Sequence, residues 1–184
     1  MRTLSLIFVA LALAAACGDP LGLPPPAVAN RVDSLVSLYA LSDTPISTPS
    51  AYVISFRQPV RTDQGNQGFD FAFDIDTLGR ALLLPTGALK LAKGSGIQVT
   101  QHAFDSVTVA PSSGYNTDSG TVVDSGSVAI MHSRPLVCSF GITSIYYAKL
   151  QVLAIDTVAR RIDFRILDNV NCGYRGLEEG LPRR

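Results

Sequence analysis

A chain of 184 residues, 47% apolar and only 16% charged, is long enough for one packed domain and too apolar for a disordered one. Its 15 basic and 15 acidic residues cancel, and an isoelectric point near 6.7 leaves no basic excess to hold a phosphate backbone. Nucleic acid is therefore excluded as an expected partner.

The chain opens on MRTLSLIFVALALAAAC. Arg2 supplies a positive start, Leu4 to Leu13 a short apolar stretch, and Ala14, Ala15 and Ala16 a run of small residues before Cys17. That pattern reads as a secretory signal, and the apolar stretch falls short of the roughly 20 residues a membrane-spanning helix needs. Small residues running directly into a cysteine resemble a bacterial lipobox, although Ala14 stands where leucine is more usual. Residues 1–16 are then a lipoprotein signal peptide and Cys17 the lipidated new N-terminus. Residues 17–26 form a tether that Pro24, Pro25 and Pro26 hold extended, and residues 27–184 a single β-rich domain. No later apolar run reaches 18 residues. The expected location is the cell envelope, on the extracytoplasmic side, with the membrane engaged through Cys17.

Within the domain, AVANRVDSLVSLYAL (27–41) sets Val28, Val32, Leu35, Val36 and Tyr39 at helical spacing, which predicts one short N-terminal helix ending before SDTPISTPS. Everything after it reads as β. FDFAFDID alternates, with Phe69, Phe71, Phe73 and Ile75 expected inward and Asp70, Asp74 and Asp76 outward. DTLGR then turns the chain into ALLLP, with Gly79 available for a left-handed position. The same device recurs at IDTVAR (155–160), between YYAKLQVLAID and RRIDFRILD, where Ile162, Phe164 and Ile166 share a face. IQVTQHAFDSVTVAP and GTVVDSGSVAIMH, rich in Val, Ile and Thr, fill the interval. Short strands with Gly, Pro, Ser and Asp punctuation predict an all-β fold, an antiparallel β-sandwich or flattened barrel.

If Cys17 carries lipid, Cys138 and Cys172 remain as an even pair in an oxidising compartment and are expected to form a disulfide. A metal pair is the poorer reading, since no CxxC occurs and the only histidines are His102 and His132. The two DSG triplets (118–120 and 124–126) look like aspartic-protease loops, but triplets six residues apart cannot supply two lobes of a dyad, and they read as turns flanking TVV. Asp70, Asp74 and Asp76 lie along one strand and do not converge as calcium ligands would. No nucleophile elbow, phosphate loop or zinc-protease motif is present. The expectation is a protein that is not an enzyme. His102 reads as a strand residue. Adjacent Met131 and His132 would point to opposite faces of a continuing strand.

Three stretches together resemble a known family. FDFAF (69–73), AFDSVTVAPSSGYNTD (103–118) and YYAKLQVLAIDTVARRIDFRI (146–166) are similar in order and spacing to segments of HmuY-like proteins, bacterial surface lipoproteins of all-β fold that capture haem. Phe69 stands where that family usually has tryptophan, and the interval from Gly120 to Ser144 is short where the family carries long haem-gripping loops. The resemblance implies haem as the possible cofactor, with His132 and Met131 as axial candidates and Arg134 and Lys149 as donors to the propionates. Two functional expectations stand side by side. One is a non-enzymatic, lipid-anchored module binding haem or another planar apolar ligand. The other is a cofactor-free envelope lipoprotein that docks a second envelope protein through its sheet surface or edge.

Overall fold

The structure is a computed structural model that describes residues 25–63, 68–92, 94–138, 141 and 143–182. The signal peptide expected over 1–16, Cys17, and the tether as far as Pro24 lie outside the described residues. Twelve strands appear among those described: β1 (Arg31–Tyr39), β2 (Ala51–Val53), β3 (Gln58–Val60), β4 (Phe71–Ile75), β5 (Ala81–Pro85), β6 (Gly96–Thr100), β7 (Thr121–Val123), β8 (Val128–His132), β9 (Leu136–Val137), β10 (Thr143–Ser144), β11 (Tyr147–Asp156) and β12 (Arg161–Asn169). They form two five-stranded antiparallel sheets, in the orders β1-β12-β11-β8-β6 and β3-β2-β4-β5-β7, with β9 and β10 as a small separate ladder. The sheets pack face to face as a sandwich, as the alternating pattern predicts.

The period-2 segments supply the inter-sheet core. Phe71, Phe73 and Ile75 from β4 meet Leu150 and Val152 from β11 and Ile162, Phe164 and Ile166 from β12, all almost fully buried. Tyr52, Phe71 and Phe164 pack ring against ring, with centroids 5.4 to 6.2 Å apart. Both expected hairpins form, Gly79 taking a positive φ of 78° in the first and Arg160 one of 51° in the second. Of the triplets around β7, the first is a bend and the second a turn with Gly126 at φ 88°.

The N-terminal helix is not formed; its residues make β1. The cause is a bulge. Asp33 pairs with Ile166 and Val36 with Phe164, so β1 spends one residue more than β12 over the same interval. Before the bulge Val32 packs on the outer side of the sheet, and after it Val36, Leu38 and Ala40 enter the core. An inserted residue thus turns an alternating strand into apolar spacing that imitates a helix.

The outer face of the first sheet is covered as well. Phe104, Val107, Ala110 and Tyr115 lie over Val128, Ile130, Tyr147 and Leu167, joined by Leu177 from the tail. Among the described residues the C-terminal segment has no strand, yet it is docked: Tyr174 and Leu177 are buried, and Asn169 Nδ2 donates to the Tyr174 and Gly176 carbonyls. Cys138 and Cys172 form the expected disulfide, with Cα atoms 6.2 Å apart.

Candidate functional site

At one end of the sandwich, three chain segments meet around a carboxylate. Asp70 immediately precedes β4, and its side chain is fully buried, which overturns its expected outward placement. The strand begins only at Phe71, so the alternation of β4 does not govern Asp70. Its Oδ2 accepts from the Ile54 backbone N–H at 2.8 Å, just past β2. Its Oδ1 accepts from the Arg134 backbone N–H at 3.0 Å and from Arg134 Nε at 3.3 Å, just past β8. Burial pushes the Asp70 carboxyl above its usual range, and the hydrogen bonds and charge of Arg134, together with the Ile54 N–H, oppose that rise.

The result is an arginine with a fixed Nε. Its two Nη groups have no protein partner among the described residues, while its side chain keeps 29% exposure. The guanidinium rests on Gly68: a Cβ built there would stand 1.8 Å from Nη1. Only glycine admits this approach. Beside it opens a groove of about 810 Å³, walled by Phe56, Gln58, Leu136, Val137 and Tyr146 as well as Arg134. Phe56 and Val137 are largely exposed, at 68% and 75%. The Val137 wall is held by its neighbour Cys138 through the disulfide, and Tyr146 by a hydrogen bond from its backbone N–H to Ser133 Oγ at 2.9 Å. Walls of mixed character, with apolar Phe56, Leu136 and Val137 beside one positioned cation, suit an amphipathic anion.

A second buried carboxylate lies behind this end. Tyr52 Oη donates to Asp168 Oδ2 at 2.7 Å, while Asp168 Oδ1 is buried with no partner. Arg57, between groove residues Phe56 and Gln58, donates from Nη2 to the Asp168 carbonyl oxygen. Burial above all pushes the Asp168 carboxyl up to about 7.

The residues singled out for haem do not gather. Met131 Sδ belongs to the inter-sheet core, where the residue is 1% exposed. His132 faces the outer layer, its ring 4.6 Å from that of Tyr115 and its Nε2 packed on Gly96. Its Nδ1 lies 3.0 Å from the Ser133 carbonyl oxygen, an acceptor only, so Nδ1 carries the proton. The sheet lies between them and neither lines the groove, so neither Met131 nor His132 is placed to ligate a haem seated there. Lys149 is buried on the outer side, its Nζ donating to the Phe104 and Val107 carbonyls at 2.8 Å each; desolvation pushes its pKa down. Of the four residues only Arg134 reaches the groove. His102 is not in a strand; it sits on an exposed bend after β6, where the Thr100 hydroxyl accepts its backbone N–H. Among the described residues, no three His, Cys, Asp or Glu side chains converge as a metal site.

Gly68, Asp70, Phe56 and Tyr146 were not marked for binding by the sequence. No local pattern pairs residue 70 with residue 134, and the only trace is a carboxylate flanked by two phenylalanines at the head of an apolar strand. The fold and site define an antiparallel β-sandwich with an arginine-based groove at one end. No protein-family model matches the chain, and no curated protein matches it.

Proposed function

We propose that the protein is a lipid-anchored, extracytoplasmic binding module that holds an amphipathic anion in the groove beside Arg134 and performs no chemistry on it. The observation that carries this reading is the Asp70–Arg134 arrangement. A buried carboxylate fixes Nε and the backbone N–H, leaving two Nη donors at the wall of a groove that also presents Phe56, Leu136, Val137 and Tyr146. A guanidinium positioned in advance loses less freedom when it meets an anion, and a charge-assisted hydrogen bond to it contributes about 1.5–3 kcal/mol. Haemin, an apolar plane bearing two carboxylates, belongs to this ligand class through its carboxylates, which is the part Arg134 is placed to meet.

The test is a fluorescence and absorbance titration of residues 18–184, which include every described residue, with haemin and with 11-(dansylamino)undecanoate. Saturable binding of either is expected, weakened by about tenfold or more in Arg134→Gln, the equivalent of about 1.4 kcal/mol. Affinity unchanged in that variant, or no saturable binding of either probe, would overturn the assignment and leave a protein-docking module as the reading to pursue.

A further inference from the structure

The chain enters its fold beside the groove. Asn171 Oδ1 accepts from the Ala27 and Val28 backbone N–H groups at 2.9 and 3.0 Å, and Asn171 Nδ2 donates to the Val28 carbonyl. Arg57 Nη2 donates to the Ala29 carbonyl at 3.2 Å. Residues 27–29 are therefore clamped between two side chains, each one residue from the groove or from its brace. Arg57 separates groove residues Phe56 and Gln58. Asn171 adjoins Cys172, whose disulfide partner Cys138 follows groove residue Val137.

From Cys17 to Pro25 there are only eight residue steps, which span at most about 29 Å even when fully extended. A domain of roughly 160 residues is about 40 Å across by the usual scaling of radius with length. A tether shorter than the domain keeps the end where the chain enters nearer to whatever holds Cys17. That end carries the groove, and its rim presents Phe56 and Val137, both largely exposed.

We infer that the groove loads from the membrane, taking a single-chain lipid anion from the leaflet that holds the anchor. This rests on the proposed binding function and on lipidation of Cys17. The chemistry on both sides agrees: one apolar chain against Phe56, Leu136, Val137 and Tyr146, and one anionic head against the Arg134 Nη groups. A ligand drawn from solvent would gain nothing from the position of the tether, and this difference separates the two sources.

The experiment uses the lipidated chain in phosphatidylcholine vesicles doped with pyrenedodecanoate, whose excimer emission gives way to monomer emission as the probe leaves the bilayer for the groove. A second protein carries a 24-residue Gly-Ser insertion after Gly18, which lengthens the tether fourfold. Probe is present everywhere in the bilayer plane, so only the mean distance normal to it counts; that distance grows as the square root of linker length, and pickup should slow about twofold. Solution binding of 11-(dansylamino)undecanoate by residues 18–184 runs alongside. Solution binding intact with pickup slowed by the insertion supports loading from the membrane. Solution binding intact with pickup indifferent to tether length overturns this inference and leaves the binding function standing. No solution binding removes the binding function and takes this inference with it.

Discussion

Asp168 makes stability depend on pH in an unusual direction. The groups around it come from every packed segment: Tyr52 on β2, Arg57 beyond it, Asp33 on β1 and Asp70 before β4. Only Tyr52 makes a side-chain hydrogen bond to the carboxylate, and Oδ1 has no partner, so desolvation outweighs the favourable contacts. A carboxyl raised from 3.8 to about 7 binds a proton more readily in the folded state than in the unfolded one. Its contribution is fully present below about pH 4 and is lost as pH rises through 7. At 1.36 kcal/mol per pH unit, the loss from this group is about 4 kcal/mol. Asp70 is shifted in the same direction and adds to the slope. The substitution that isolates Asp168 is Asp168→Asn, which keeps an acceptor for Tyr52 but buries an amide N–H₂ where Oδ1 lacks a partner, at a cost of about 1–3 kcal/mol. Urea unfolding of the oxidised protein from pH 4 to pH 8 should show crossing curves. The variant should be less stable than wild type at pH 4 and more stable at pH 8, with a shallower fall between. Parallel curves would refute the account, because they would mean that Asp168 is ionised throughout.

Gly68→Ala should displace the Arg134 guanidinium, which can swing into solvent, so probe affinity should fall about tenfold while the melting temperature moves little; a calorimetric melt beside the titration checks both. Met131→Ala should destabilise by about 2–5 kcal/mol in urea unfolding, whereas Met131→Leu should cost under about 1.5 kcal/mol, as befits a core residue and not a ligand. Replacing Cys138 and Cys172 by serine opens a loop of sequence separation 34, which should lower the unfolding free energy by about 3–4 kcal/mol on the chain-entropy model.

Legibility of the sequence followed the range of the interaction. The β4–β5 and β11–β12 hairpins could be read because alternation and turn chemistry act over a few residues, and Gly79 and the two DSG triplets did what their types require. The disulfide could be read because so few cysteines leave little choice. β1 was misread because its bulge changes which face each side chain takes, and the partner strand that imposes it lies about 130 residues away. Asp70 was misplaced for a related reason: its environment is set by Ile54 and Arg134, and no periodicity within FDFAFDID carries that information. Lys149 sits where alternation puts a polar residue on an outer face, but that face is covered by the 104–115 segment, whose carbonyls accept its hydrogen bonds.

The buried polar groups of the sandwich are unevenly spread, and their position bears on function. Asp70 and Asp168 both lie toward the end where Arg134, Arg57 and the groove are found, and each has a carboxyl that burial pushes upward. Elsewhere the inter-sheet core is apolar, with Phe71, Phe73, Leu150 and Phe164 closing it without a charge. Two buried carboxylates are costly to a fold of this size, and apolar residues of similar volume would stabilise it more. Asp70 has a structural return for that cost, since it ties the β2 and β8 exits together and orients Arg134. Asp168, with an orphaned oxygen, has no comparable return within the described residues. A costly buried polar cluster beside an open groove supports the binding role proposed for this end of the sandwich. On that argument Asp70→Asn should cost binding more than it costs stability. Neutralising the residue relieves its burial penalty but sets an amide N–H₂ against the Ile54 N–H, at a cost of about 1–3 kcal/mol; the two effects oppose, so the urea midpoint at pH 8 should move little while the loosened Arg134 lowers probe affinity severalfold. A variant that unfolds more easily at pH 8 yet binds as before would place Asp70 with the scaffold instead.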